Sequence, residues 1–165
     1  MNIDILKKDI EAWVNDWVSQ FNTKLNQIPC PFAKQAMLAD KIEYAWCESA
    51  DHLRITLYAL MEEGLPKEVV VIGLDPDTIT AGALADVVNS ANQKWLMPSG
   101  LVALEDHPDD PEIIAGERMN QGTWALVLIQ ASEKLETASR MLAKQGYYDS
   151  WSQENIDNVV SWRKR

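Results

Sequence analysis

Residues 68–74 read EVVVIGL, and both faces of that short run are apolar. Period-two alternation is missing, so an extended chain here has no side to turn to water. A strand of this kind belongs in the middle of a sheet with cover on each side, as in parallel sheets flanked by helices. The rest of the chain has to supply that cover, together with the neighbouring strands.

The flanking segments fit this demand. Residues 3–28 carry apolar side chains at Ile3, Leu6, Ile10, Trp13, Val14, Trp17, Phe21, Leu25 and Ile28, with Lys7, Lys8, Glu11, Asn15, Asp16 and Gln20 largely opposite. That stripe predicts one long amphipathic helix, stopped by Pro31 and burying Trp13 and Trp17. Residues 41–47 alternate as a strand. Ser49 is placed to cap a helix that Gly64 and Pro66 end. Residues 80–96 are helical, 100–105 form a third strand, and 123–129 read as a fourth. Residues 131–145 are a helix with Gly146 at its C-terminus, and Ser150 with Gln153 has capping-box spacing for a last helix over 151–163. Alternation of this type predicts a single α/β domain over residues 1–165. It has about four strands in a partly parallel sheet, a long N-terminal helix and C-terminal helices. A ferredoxin-like two-layer sandwich and a small three-layer sheet both satisfy the pattern.

Composition narrows the function classes. With 165 residues and 47% apolar content the chain can build its own core. No apolar run approaches the ~20 residues that span a bilayer, and the N-terminus has no signal-like apolar stretch. A net charge of −10 opposes binding to nucleic acid or an anionic membrane. The one basic cluster, Arg163, Lys164 and Arg165, suits a helix C-terminus. Two cysteines make no disulfide framework, which points to free thiols in a reducing cytoplasm.

In open parallel sheets sites form beyond the strand carboxyl ends. The first strand runs into Glu48, Ser49, Asp51 and His52, the second into Asp75, Pro76 and Asp77, and the third into Glu105, Asp106, His107, Asp109 and Asp110. Both histidines therefore follow strand ends. Imidazole with carboxylate could hold Zn, Fe or Mn, but no metal-ligand spacing supports one, and capping explains several of these residues equally well. The stretch 106–122 is long for a connection in a compact domain. Its Arg118 can clamp a substrate carboxylate, or pair with Glu112 or Asp110.

Cys30 precedes Pro31. If Pro31 opens a helix at its first position, Cys30 is the N-cap and its thiolate meets free N–H groups, with Lys34 one turn on. The alternative is simple corner packing beside Phe32. The stretch Cys30-Pro31-Phe32-Ala33-Lys34 resembles the C-P-F-A-K signature of a bacterial family of unknown function. That family has a His-Pro-Asp step after a later strand, similar to His107-Pro108-Asp109 here. It also has a His-Pro step where this chain has Asp75-Pro76. The resemblance implies that Cys30 and His107 share a site, and it brings no assigned activity.

Two readings follow. One is a small enzyme or ligand-binding protein, its site at the strand carboxyl edge under the 106–122 loop, with Cys30, His107 and Asp106 as catalytic candidates and Arg118 and Asp75 as substrate-binding candidates. The other is a non-catalytic accessory protein that docks on a partner, or on its own copy, through the Trp-rich N-terminal helix. Ligand, cofactor and metal stay open at this level.

Overall fold

The structure is a computed structural model that describes residues 3–164; Met1, Asn2 and Arg165 lie outside the described residues. Helix α1 (Ile3–Trp13) passes into one π-helical turn, Val14–Val18. Leu6, Ile10, Val14 and Val18 form its buried seam, each at most 6% exposed. The helix stops there, so the continuous helix expected over residues 3–28 does not form. Ser19 turns both its amide and its hydroxyl onto the Val14 carbonyl, at 3.0 and 2.7 Å. Asn22 then reverses the chain: its Oδ1 accepts from the amides of Lys24 and Leu25, and its backbone pairs with Gln27. Short polar side chains that bond their own backbone outcompete the helical ladder here. Trp13 and Trp17, expected in the core, are half-buried and stack on each other with ring centroids 6.1 Å apart.

After this come α2 (Ala33–Leu38), β1 (Ile42–Trp46), α3 (Ala50–Glu63), β2 (Val69–Leu74) and α4 (Ala81–Ala91), which a second π-helical turn extends over Asn92–Leu96. Next are β3 (Leu101–Asp106), a two-residue hairpin of β4 (Ile113–Ile114) and β5 (Glu117–Arg118), β6 (Ala125–Ala131), α5 (Ser132–Lys144) and α6 (Gln153–Val159). The main sheet has the order β1-β2-β6-β3. β1 and β2 are parallel, while β6 runs antiparallel to both β2 and β3. β1, β2 and β3 therefore point the same way, and their carboxyl ends share one edge.

The two apolar faces of β2 are covered separately. Val70, Ile72 and Leu74 join Ala125, Val127 and Ile129 of β6 against Leu53 and Leu57 of α3 and Leu84, Val87 and Val88 of α4. Val71, Leu126 and Tyr44 pack on the α1 seam instead. The architecture is thus the three-layer alternative, not the two-layer sandwich. Gly73 lets α1 come this close: a Cβ there would sit 2.7 Å from both methyls of Leu6.

Polar side chains meet the backbone on both sheet edges. On β1 the outward amide of Tyr44 reaches the Glu43 carboxylate at 3.4 Å, and Glu43 in turn lies 3.7 Å from Lys67. On β3 the buried Asn92 amide donates to the Ala103 carbonyl at 2.8 Å and accepts from the Ala103 N–H at 2.9 Å, as a neighbouring strand would. The expected cap at Ser49 is present, and Thr80, read as the first helical residue, is the cap of α4 instead. The last helix is capped by Ser152, two residues beyond Ser150, with its Oγ accepting from the Asn155 amide. Arg163 donates to the Val160 carbonyl at the end of α6, and it also reaches inward to Ser139 and Glu136 of α5.

Candidate functional site

The polar residues that follow the strand ends do gather, and their bonds are with one another and with the backbone. His107 has no exposed surface. Its Nε2 donates to the Ile79 carbonyl at 2.8 Å and its Nδ1 accepts from the Asp109 amide at 3.1 Å. These partners fix one tautomer and leave neither nitrogen for a substrate. Asn120, which the sequence pattern did not mark, ties the base of the loop together. Its amide donates to the His107 carbonyl at 3.1 Å, and its Oδ1 accepts from Arg118 Nε at 2.6 Å. Arg118 also donates to the Pro108 carbonyl. It pairs with these groups rather than with Glu112 or Asp110, so the loop is laced to itself.

Asp106 accepts from the Gln121 amide at 3.3 Å. Burial pushes its carboxyl above the ordinary aspartate value, against the opposing pull of the Gln121 amide and the Arg118 charge. Glu105 is raised as well, by burial and then by the charges of Asp110 and Asp106. Asp75 caps the turn Pro76–Thr78, accepting from the Asp77 amide at 3.0 Å. His52 accepts from the Glu48 amide at the start of α3. Among the described residues no three His, Cys, Asp or Glu side chains come together as metal ligands.

Cys30 is elsewhere. Its amide donates to the Val18 carbonyl at 3.0 Å, and its side chain packs with the α1 cluster. Helix α2 starts only at Ala33, with Phe32 in the capping position, so Cys30 is not the N-cap. The sulfur does face the amides of Phe32 and Ala33, but burial outweighs them and pushes the thiol up from its ordinary value. His107, by contrast, bonds Ile79, which belongs to the cluster on the other side of the sheet. The structure brings Asp106, His107 and Arg118 together at the loop base and leaves Cys30 out. Chain order alone could not reveal this separation, because α1 and α4 cover opposite faces.

The loop also builds a cleft that the sequence pattern did not show. Its β4–β5 hairpin reaches the 22–27 turn: Glu117 accepts from Asn22 at 3.1 Å and pairs with Lys24 at 2.9 Å. The base of the hairpin is held from a third direction by Asn155, which donates to Glu112 at 2.6 Å. Between these segments and the turn after α5 lies a cleft of about 300 Å³, lined by Lys24, Leu25, Asn26, Gln27, Ala115, Gly146, Asp149 and Ser150. Each wall is braced. Ala115 (φ 51°) and Gly116 (φ 80°) form the two-residue hairpin turn, which requires positive φ at both positions. Gly146 (φ 78°) ends α5, with the Tyr147 amide bonded back to the Leu142 carbonyl. Gln27, with its amide oriented to satisfy both partners, donates to the Tyr147 carbonyl and accepts from Trp151 Nε1. Behind it Tyr147, Tyr148 and Trp151 pack ring on ring at 5.0–5.6 Å.

No family model, curated protein or solved structure matches the chain. No helix among the described residues is long and apolar enough to cross a membrane.

Proposed function

We propose that the protein binds a small polar ligand in the cleft beneath the β4–β5 hairpin, and that the histidine and arginine at the loop base are there to hold that hairpin in place. One observation carries this reading. Three segments far apart in sequence, around residues 24–27, 115 and 146–150, meet at one cleft of mixed polarity, and among the described residues two of the three non-glycine residues with positive φ, Asn26 and Ala115, lie in its walls. Unusual backbone conformations held by surrounding structure concentrate at ligand sites, and stiff walls reduce the ordering cost of binding. The Cys–His enzyme variant of this reading lacks a shared site. The accessory-protein variant keeps only part of its ground: the seam Leu6, Ile10, Val14 and Val18 is covered by this same chain, while Trp13 and Trp17 are half-buried. The two free thiols suit a reducing cytoplasm.

The test is an amide-resolved NMR titration of the isotope-labelled protein with a panel of small sugars, amino acids, nucleosides, amines and carboxylic acids. Saturating shifts confined to residues 24–27, 115–116 and 146–150 are expected for at least one compound, and they should disappear when Ala115→Trp fills the cleft. Shifts that are absent across the panel, or that centre on the loop base around His107, would refute the assignment.

A further inference from the structure

The charges around the cleft do not balance, and the imbalance points to a ligand class. Lys24 is its only lining cation, and Glu117 already neutralises it at 2.9 Å. Glu117 is held below the ordinary glutamate value by that Lys24 contact and then by the Asn22 amide, so the pair is a settled ion pair. Asp149 is the only lining carboxylate, and no hydrogen bond or ion pair occupies its side chain among the described residues. A Cβ on Gly146 would fall 2.8 Å from Asp149 Oδ2, so the bare glycine leaves room for the carboxylate where it stands. Asn26 and Ser150 also line the cleft, and Gln27 and the ring cluster hold the turn that carries Asp149. Asp149 is exposed, so its carboxylate is open to solvent and to a ligand alike, in a molecule whose net charge is −10. That field draws cations and opposes anions.

Building on the ligand-site reading above, we infer that the cleft takes a small organic cation, a protonated primary amine bearing a polar arm, with its ammonium on Asp149. An ammonium has three donors and no acceptor, which matches an acceptor-only carboxylate. The charge-assisted bond supplies orientation. The polar arm replaces water along the wall formed by residues 24–27. Lys24, already paired with Glu117, is not called on to meet a ligand carboxylate, so a second negative group on the ligand gains nothing here.

The experiment compares three probes of one skeleton by the same NMR titration: 4-aminobutan-1-ol, butane-1,4-diol and 4-hydroxybutanoate. The amine should produce saturating shifts at residues 24–27, 115–116 and 146–150, weakened by added salt, while the diol and the hydroxy acid produce none. Asp149→Asn should weaken amine binding about tenfold or more, a loss of ~1.4 kcal/mol, and the control Asp110→Asn, at a carboxylate as exposed as Asp149 but outside the cleft lining, should leave it unchanged. Amine shifts of equal strength in Asp149→Asn and Asp110→Asn would mean diffuse attraction to an acidic surface and would overturn the inference. So would saturation of the same residues by the diol or the hydroxy acid, but that result leaves the ligand site standing with a different polarity. If none of the three probes shifts these residues the amine assignment fails, and the broader panel decides the site itself.

Discussion

Removing the His107 ring deletes a donor to Ile79 and an acceptor for Asp109 from a position with no solvent access. His107→Ala is therefore expected to lower folding stability by about 3 kcal/mol, from lost hydrogen bonds and a cavity together. Urea denaturation measures this; a stability within ~0.5 kcal/mol of the parent chain would return His107 to the list of functional groups. Asp106 allows a pH experiment. Its folded value lies above its unfolded one because of burial. The unfolded chain therefore gives up this proton first as pH rises. The stabilising contribution is present below the ordinary aspartate value and is lost as pH climbs through the raised folded value. Asp106→Asn should then melt higher than the parent at neutral pH, with the gap closing under acid. A gap that widens under acid would contradict the burial argument. At this scale the sequence showed which residue types cluster after the strands. It could not show their partners, because Ile79 and Pro108 take part through backbone carbonyls, which any residue type provides.

Among the elements, strands and helices were legible wherever side-chain period and burial agree. Residues 68–74 are apolar on both faces and both faces are covered, and the helix after Ser49 begins where capping chemistry places it. The N-terminal helix was over-read because Phe21 and Leu25 continue the apolar spacing beyond Ser19 and Asn22, whose local bonds end the helix. Phe21 is 61% exposed and Leu25 3%, so beyond Ser19 the apolar residues no longer share one face. Asn92 was hidden for the opposite reason: a polar residue in a helical stretch ordinarily faces water, and this one closes the outer edge of β3. Asn92→Ala leaves the Ala103 N–H and C=O without partners and should cost about 2–4 kcal/mol. Exposed edges also invite pairing between chains, so light scattering on the variant should reveal self-association at concentrations where the parent shows none. A monomeric variant of unchanged stability would mean that Asn92 is not the edge closure described here.

Across the whole molecule, burial holds both thiols protonated. Cys30 and Cys47 are each raised from the ordinary thiol value, chiefly by desolvation. The native protein should react slowly with a thiol reagent at neutral pH and release two thiols only on unfolding; rapid native labelling of Cys30 would revive the activated-thiol reading. The strand order has a consequence for how the chain acquires its structure. β2 is flanked by β1, made just before it, and by β6, made some fifty residues later, while β3 pairs within the main sheet with β6 alone. During synthesis β3 has no strand to join until β6 emerges, and β2 carries an open side and two apolar faces through that interval. The sheet cannot grow outward from its first pair. It closes in one late step, when β6 enters the gap between strands already present. Such long-range closure slows folding and leaves a sticky nascent chain. It also makes β6 the keystone of the assembly, since a defect there divides the sheet into two unconnected parts, whereas the loss of β1 or β3 would only shorten it.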